Sequence, residues 1–262
     1  MKKLDTKKYA PIIFIDSGVG GLSTLFSVYS AMPNENYVYF ADQINAPYGN
    51  KTKKELKKII IQNIKNLISV WHPKAIVLAC NTATATTIML LRKMFPQLLI
   101  IGTEPAIKPA IQSGAEKVLV LGTYCTIQNS SLVNLFKHNS NKVKFSPMPK
   151  LATVIENNYD NLDFIKNYLN NELAKYKGKF DAVVLGCTHY VLIKQMLEDV
   201  LKVKSFNGNL GVSNRLKQCL NVLNCENEIG GNIVYISNIK DNNVKLQQIF
   251  KTLKGDGNLC VE

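Results

Sequence analysis

The chain has 262 residues, 46% of them hydrophobic, and 32 Lys plus Arg against 19 Asp plus Glu give a net charge of +13. That is enough apolar material for one large or two modest cores. Runs such as Ile12 to Ile15 and Val118 to Leu121 fall far short of the roughly 18–20 apolar residues that span a bilayer, so no transmembrane helix is predicted.

The N-terminus, Met1-Lys2-Lys3-Leu4-Asp5-Thr6-Lys7-Lys8, is basic but leads into a four-residue strand instead of a signal-peptide core, which predicts a cytoplasmic protein. Strand Ile12 to Ile15 turns through Gly18-Val19-Gly20-Gly21 into a helix over Leu22 to Met32, closed by Pro33. Strand Tyr37 to Phe40 precedes a loop from Ala41 to Gly49, and Leu56, Ile60, Ile64 and Leu67 recur at helical spacing between Lys53 and Val70. Next come strand Ala75 to Ala79, helix Thr82 to Phe95 and strand Leu98 to Ile101. A helix near Ile107 to Ser113 and strand Lys117 to Leu121 restart the alternation. They are followed by helix Ser130 to Lys137, strand Lys142 to Phe145, a loop, helix Leu162 to Tyr176, strand Val183 to Gly186, helix Leu192 to Leu201 and strand Lys202 to Phe206. The tail reads as helix Gly211 to Asn221, strand Ile233 to Ile236 and helix Val244 to Leu253.

Strand and helix alternate throughout, which predicts an α/β fold of mostly parallel sheets covered on both faces. Within it, Ile76-Val77-Leu78-Ala79-Cys80-Asn81-Thr82 returns 107 residues later as Val183-Val184-Leu185-Gly186-Cys187-Thr188-His189, and Asp16 stands the same 107 residues before Thr123. Two shared offsets predict a duplicated three-layer domain with a cysteine at a strand's C-terminal end in each half, where open α/β sheets bind ligands. The tail exceeds the repeat, so it is expected to return to the first half: residues 1–103 plus 211–262 as one domain, 104–210 as the other.

The six cysteines, at 80, 125, 187, 219, 225 and 260, include no C-x-x-C pair, and His72, His138 and His189 show no paired ligand spacing, so no metal site is expected. Cys125, Cys219 and Cys225 read as buried, inert side chains and Cys260 as part of a frayed tail. Lysines spread along the chain without interleaved aromatics read as a solvated surface and make a nucleic-acid partner unexpected; an anionic small substrate fits the charge equally well.

Two thiols facing each other across a substrate suit proton removal from one face of a carbon and proton return to the other, since a free thiol titrates at about 8.5. Asp16 would relay a proton for Cys80, and a His189 imidazolium would stabilise a thiolate at Cys187. The alternatives are an Asp16-Ser17 helix cap and a His189 that is simply hydrogen-bonded. The Gly18-Val19-Gly20-Gly21 turn lacks the glycine at position 23 that a dinucleotide fingerprint needs, so a carboxylate is its expected guest. Asn81, Thr82 and Thr188 offer neutral donors for an amino acid, with Thr82 alternatively a helix cap.

Phe14-Ile15-Asp16-Ser17-Gly18-Val19-Gly20-Gly21-Leu22, Ala46-Pro47-Tyr48-Gly49, Ala79-Cys80-Asn81-Thr82-Ala83-Thr84-Ala85, Glu104-Pro105-Ala106 and Gly186-Cys187-Thr188-His189-Tyr190 together resemble the cofactor-independent aspartate/glutamate racemases. The resemblance runs in order to about residue 210. It implies two α/β domains with the active site between them, racemisation of glutamate for peptidoglycan synthesis without any cofactor, and a homodimer. It also implies that Cys80 deprotonates the D-isomer and Cys187 the L-isomer, assisted by Asp16 and His189. Ser17, Tyr48, Gly49, Asn81, Thr82, Thr188 and His189 would contact substrate, with Asp16 and Thr123 beside them. Glu156 is a further candidate, with an ordinary surface glutamate as its alternative. Cys125 stands where the family usually has glycine and Asn207 where it often has aspartate. The rivals are an aspartate racemase, whose substrate is one methylene shorter, and a non-catalytic amino-acid-binding α/β protein.

Overall fold

The computed structural model describes residues 8–139 and 141–256. Its first sheet is built from β1 (Ile12–Asp16), β2 (Tyr37–Ala41), β3 (Ala75–Leu78), β4 (Leu99–Gly102) and β9 (Ile233–Ser237), in the order β4-β3-β1-β2-β9. The second contains β5 (Val118–Gly122), β6 (Val143–Pro147), β7 (Ala182–Gly186) and β8 (Lys204–Phe206), in the order β6-β5-β7-β8. Read from the other edge, β8-β7-β5-β6 repeats β4-β3-β1-β2, so the 107-residue offset is a structural repeat. All pairings are parallel. Every residue of β1, β3, β5 and β7 is buried, as unbroken apolar runs require when helices cover both faces.

The covering helices are α1 (Leu22–Ala31), α2 (Lys53–Trp71), α3 (Asn81–Met94) and α4 (Ile107–Gln112) in the first part of the chain. They continue as α5 (Tyr124–Asn129), α6 (Ser131–Asn139), α7 (Leu151–Asn158), α8 (Leu162–Leu173), α9 (Thr188–Leu192), α10 (Lys194–Leu201), α11 (Asn209–Val222) and α12 (Asn242–Asp256). The tail strand β9 lies beside β2, with Ile233 opposite Tyr37, and so extends the first sheet. Among the described residues no helix is long and apolar enough to cross a membrane.

Three segments differ from their expected form. The stretch read as a loop before Leu162 contains α7, whose Leu151, Ala152 and Ile155 are buried on one face. Pro147 and Pro149 just before it conceal so short an amphipathic pattern. Helix α5 has only six residues, too few for a periodic signal, and starts where the Thr126 N–H donates to the Thr123 hydroxyl at 3.1 Å. The helix after Cys187 begins at once, as α9, instead of at Leu192. Cys125 and Cys225 are buried as expected, but Cys219 is half-buried on α11; Cys260 lies outside the described residues.

At the ends of the strands remote from the cysteines, Lys74 and Glu35 form a buried ion pair at 2.5 Å. Lys74 Nζ also donates to the carbonyls of Lys8 and Cys225, each at 2.7 Å, and Glu35 Oε1 accepts from Asn227 N at 2.9 Å. A buried pair survives only when its remaining hydrogen-bonding capacity is used this way. The knot fastens the residue 225–227 turn to the foot of the first sheet.

Candidate active site

The C-terminal ends of both sheets open on one cleft of about 310 Å³. Cys80 follows β3 and N-caps α3, and Cys187 follows β7 and N-caps α9, so the duplicated strand-turn-helix unit delivers one thiol from each lobe. Both sulfur-bearing residues line the cleft, as do Ser17, Tyr48, Gly49, Thr82, Thr123, Glu156, Thr188 and His189. Asp16 and Asn81 are buried behind the lining. Asp16 accepts from Gly18 N at 2.9 Å and from Thr188 Oγ1, of the opposite lobe, at 3.1 Å; Asn81 reaches the Thr103 carbonyl at 3.5 Å.

Glu156 is no surface residue. From α7 its Oε2 meets His189 Nε2 at 2.7 Å and accepts from Val19 N at 3.0 Å, while its Oε1 accepts from Gln43 Nε2 at 2.8 Å. The guest of the glycine-rich turn is therefore a carboxylate of the protein itself. Two glycines make the approach possible: a Cβ on Gly18 would lie 2.6 Å from Glu156 Oε2, and one on Gly20 would lie 2.6 Å from His189 N and Nδ1. Burial alone would raise the Glu156 carboxyl, but the His189 hydrogen bond and charge, with the Val19 and Gln43 donors, bring it down to about 2. Burial likewise works against the imidazolium, yet the hydrogen bonds to Cys187 and Glu156 and the Glu156 charge hold His189 well above the ordinary histidine range. His189 Nδ1 lies 4.0 Å from Cys187 Sγ, so the positive ring stands where charge on that sulfur would develop.

The other thiol sits differently. Burial, with the charges of Asp16 and Cys187 adding to it, pushes Cys80 well above the usual thiol range, and the backbone N–H groups of Ala83 and Thr82 at the start of α3 oppose that rise. Asp16 is also raised by burial, against the pull of His189 and its hydrogen bonds from Gly18 and Thr188. At neutral pH one thiol thus lies beside a cation and the other is held protonated, an arrangement ready to remove a proton on one side and supply one on the other.

The Thr82 hydroxyl meets those of Thr123 and Thr126 across the lobes at 2.9 and 3.3 Å, and the latter two lie 3.0 Å apart, so the neighbouring Cys125 leaves Thr123 in the site. Thr82 sits inside α3, whose cap is Cys80. Tyr48 OH donates to Asp42 Oδ2 at 2.7 Å, which fixes its ring in the wall. Asn207 is a local turn residue, its Oδ1 accepting from Asn209 N at 3.1 Å. Sequence reading missed Asp42, which also accepts from Asn63 and Asn238, and Gln43, whose Oε1 accepts from Ser237 Oγ at 2.7 Å and Asn242 Nδ2 at 3.0 Å. It missed Lys245 at the rim as well. Contacts to Ser237, Asn238 and Asn242, at the end of β9 and just after it, reach Asp42 and Gln43, and no local pattern couples that segment to residues 42 and 43.

Residues 31–210 match the sequence profile of the Asp/Glu/Hydantoin racemase family. The glutamate racemase of Clostridium novyi (strain NT) is 39% identical over 255 residues, covering 94% of this chain and 97% of that protein. That of Clostridium perfringens (strain ATCC 13124) is 38% identical, over 92% and 95% respectively. Among solved structures, a Francisella tularensis glutamate racemase in complex with D-glutamate superposes with a TM-score of 0.79 at 27% identity, covering 94% of each chain. A Bacillus anthracis glutamate racemase isoform gives 0.80 at 25% identity, covering 95% of each.

Proposed function

The chain belongs to the Asp/Glu/Hydantoin racemase family and is an amino-acid racemase, and on that premise we propose that it interconverts L- and D-glutamate by proton transfer between two thiols. The observation that carries this reading is the pair of cysteines lining one cleft from matching strand ends of two duplicated lobes. With L-glutamate bound, a Cys187 thiolate takes the Cα proton and the Cys80 thiol then donates its own to the opposite face of the carbanion; with D-glutamate the roles exchange. His189, charged by Glu156, stabilises the anionic Cys187 sulfur. Asp16, held by Thr188, lies on the Cys80 side as its proton partner. Ser17, Thr82, Thr123 and Thr188 present hydroxyls, and Gly49 its backbone, to the substrate's polar groups.

The same reading involves no cofactor, supplies D-glutamate for peptidoglycan from the cytoplasm, and joins two chains as a homodimer. It keeps residues 1–103 and 211–262 in one domain and 104–210 in the other, a division that the pairing of β9 with β2 supports.

The primary test incubates EDTA-treated protein with L-glutamate in deuterium oxide, followed by circular dichroism and mass spectrometry. The expected result is decay of optical activity with one deuterium at Cα of the D-product; racemisation of aspartate but not glutamate, or of neither, overturns the assignment. Alkylation gives a second check. Cys80 and Cys187 are each only 7% exposed but face the cleft, whereas Cys219 is half-buried elsewhere. Iodoacetamide is expected to modify Cys187 in the folded protein, and Cys80 more slowly because its thiol is held protonated, with glutamate slowing both but not the labelling of Cys219. If neither cleft thiol reacts until the protein unfolds, they are core residues.

A further inference from the structure

Among the described residues lining the cleft, Lys245 is the only lysine or arginine. It lies in the first turn of α12, half-buried at the rim, and its Nζ stands 4.3 Å from the centroid of the Tyr159 ring at the end of α7. Helix α12 follows β9 of the first sheet, whereas α7 follows β6 of the second and carries Glu156. The contact therefore joins a helix of each lobe beside the cleft, and the aromatic face holds the ammonium there instead of leaving it free in solvent.

The remaining charges explain why this matters. Glu156 and His189 neutralise one another, and the carboxyl of Asp16 is buried behind the lining. Ser17, Thr82, Thr123 and Thr188 offer neutral hydroxyls, which donate to a carboxamide oxygen as well as to a carboxylate, though more strongly to the charged group. Among the described residues lining the cleft, Lys245 is thus the cation that is not already paired with a carboxylate of the protein. We propose that Lys245 is a specificity-determining residue that makes the cleft prefer dicarboxylates over their neutral or monoamide counterparts. This rests on the glutamate assignment but reads a separate property. Because the ammonium is only half-buried, its contribution is moderate and weakens with salt.

The test compares binding of glutarate and of its monoamide by calorimetry, and their inhibition of glutamate racemisation, in wild type, Lys245→Met, Lys245→Arg and Lys65→Met. Lys65 lies on the exposed face of α2 and carries the same charge away from the cleft. Lys245→Met is expected to weaken glutarate about five- to tenfold, as a lost local charge does, and the monoamide by less than twofold. Lys245→Arg should retain the wild-type preference, and Lys65→Met should match wild type. The KM for glutamate should rise more than kcat falls in Lys245→Met, and added salt should erase the difference. An unchanged glutarate-to-monoamide ratio in Lys245→Met, or an equal change in Lys65→Met, overturns the proposal. A wild type that fails to racemise glutamate refutes the functional assignment instead, while the calorimetric ratio still decides the role of Lys245.

Discussion

Cys80→Ser is expected to lower kcat/KM for both glutamate enantiomers by about 10²–10⁴-fold, the range lost with a general acid–base group. The factor must be the same in both directions, because enantiomers are equal in energy and the equilibrium constant is 1 whatever the enzyme. Asymmetry appears in the isotopes. With a serine hydroxyl at position 80, the transfer on that face limits the rate. D-[2-²H]glutamate should then show a full primary isotope effect and L-[2-²H]glutamate almost none. In deuterium oxide, residual L-glutamate should acquire label before it racemises, since Cys187 still removes its proton reversibly. Cys187→Ser should give the mirror-image pattern. Single variants that retain wild-type rates would end the two-thiol mechanism, and identical labelling patterns in both would end the assignment of a face to each.

Glu156→Gln should combine a loss of activity on the order of 10²-fold with a marked loss of stability. Gln43 cannot turn to welcome the new amide, because Ser237 Oγ and Asn242 Nδ2 both donate to its Oε1. Its Nε2 would then face an NH₂ group. The carboxyl at 156 falls from 4.5 to about 2 on folding, which at 1.36 kcal/mol per pKa unit amounts to about 3 kcal/mol. A depressed carboxyl stabilises the fold above its unfolded value, about 4.5, and loses that contribution as pH falls through about 2. His189, raised on folding, contributes fully below about 6.5 and loses its contribution as pH climbs through the raised folded value. The gap between wild type and Glu156→Gln should therefore be widest between about pH 4.5 and 6.5, visible as a melting temperature lower by roughly 6–12 °C. The alkaline limb of kcat/KM should also move to lower pH, since burial then dominates at His189. A variant with the wild-type pH profile and melting temperature would show that Glu156 neither charges nor anchors the histidine.

The parts legible in sequence were those set by local pattern. Four unbroken apolar runs, each ending in a polar or thiol side chain at a common offset, identify β1, β3, β5 and β7 and hence both cysteines. What escaped was set by contacts distant in sequence. The setting of Glu156 is one case: the residue is a candidate through the resemblance alone, because its helix is too short and too proline-flanked to recognise and its partners His189, Val19 and Gln43 lie 33, 137 and 113 residues away. The same distance misdirected the glycine turn: Gly18 and Gly20 do make room for a carboxylate, but folding brings in one of the chain's own. Tyr48, a substrate contact by the resemblance, lines the cleft, while nothing in the loop's sequence singles out Asp42, which holds its hydroxyl.

The position of β9 has a consequence for synthesis. Strand β2 pairs with β1 on one side and β9 on the other, and β9 leaves the ribosome roughly 190 residues later. At 5–20 residues per second, the outer edge of β2 waits about 10–40 s for its partner. Throughout that interval all of β5 to β8 emerges, so the second lobe has its whole sheet available before the first. The nascent chain is thus exposed to mispairing along Tyr37–Ala41, the edge on which a second unfinished copy would most readily dock.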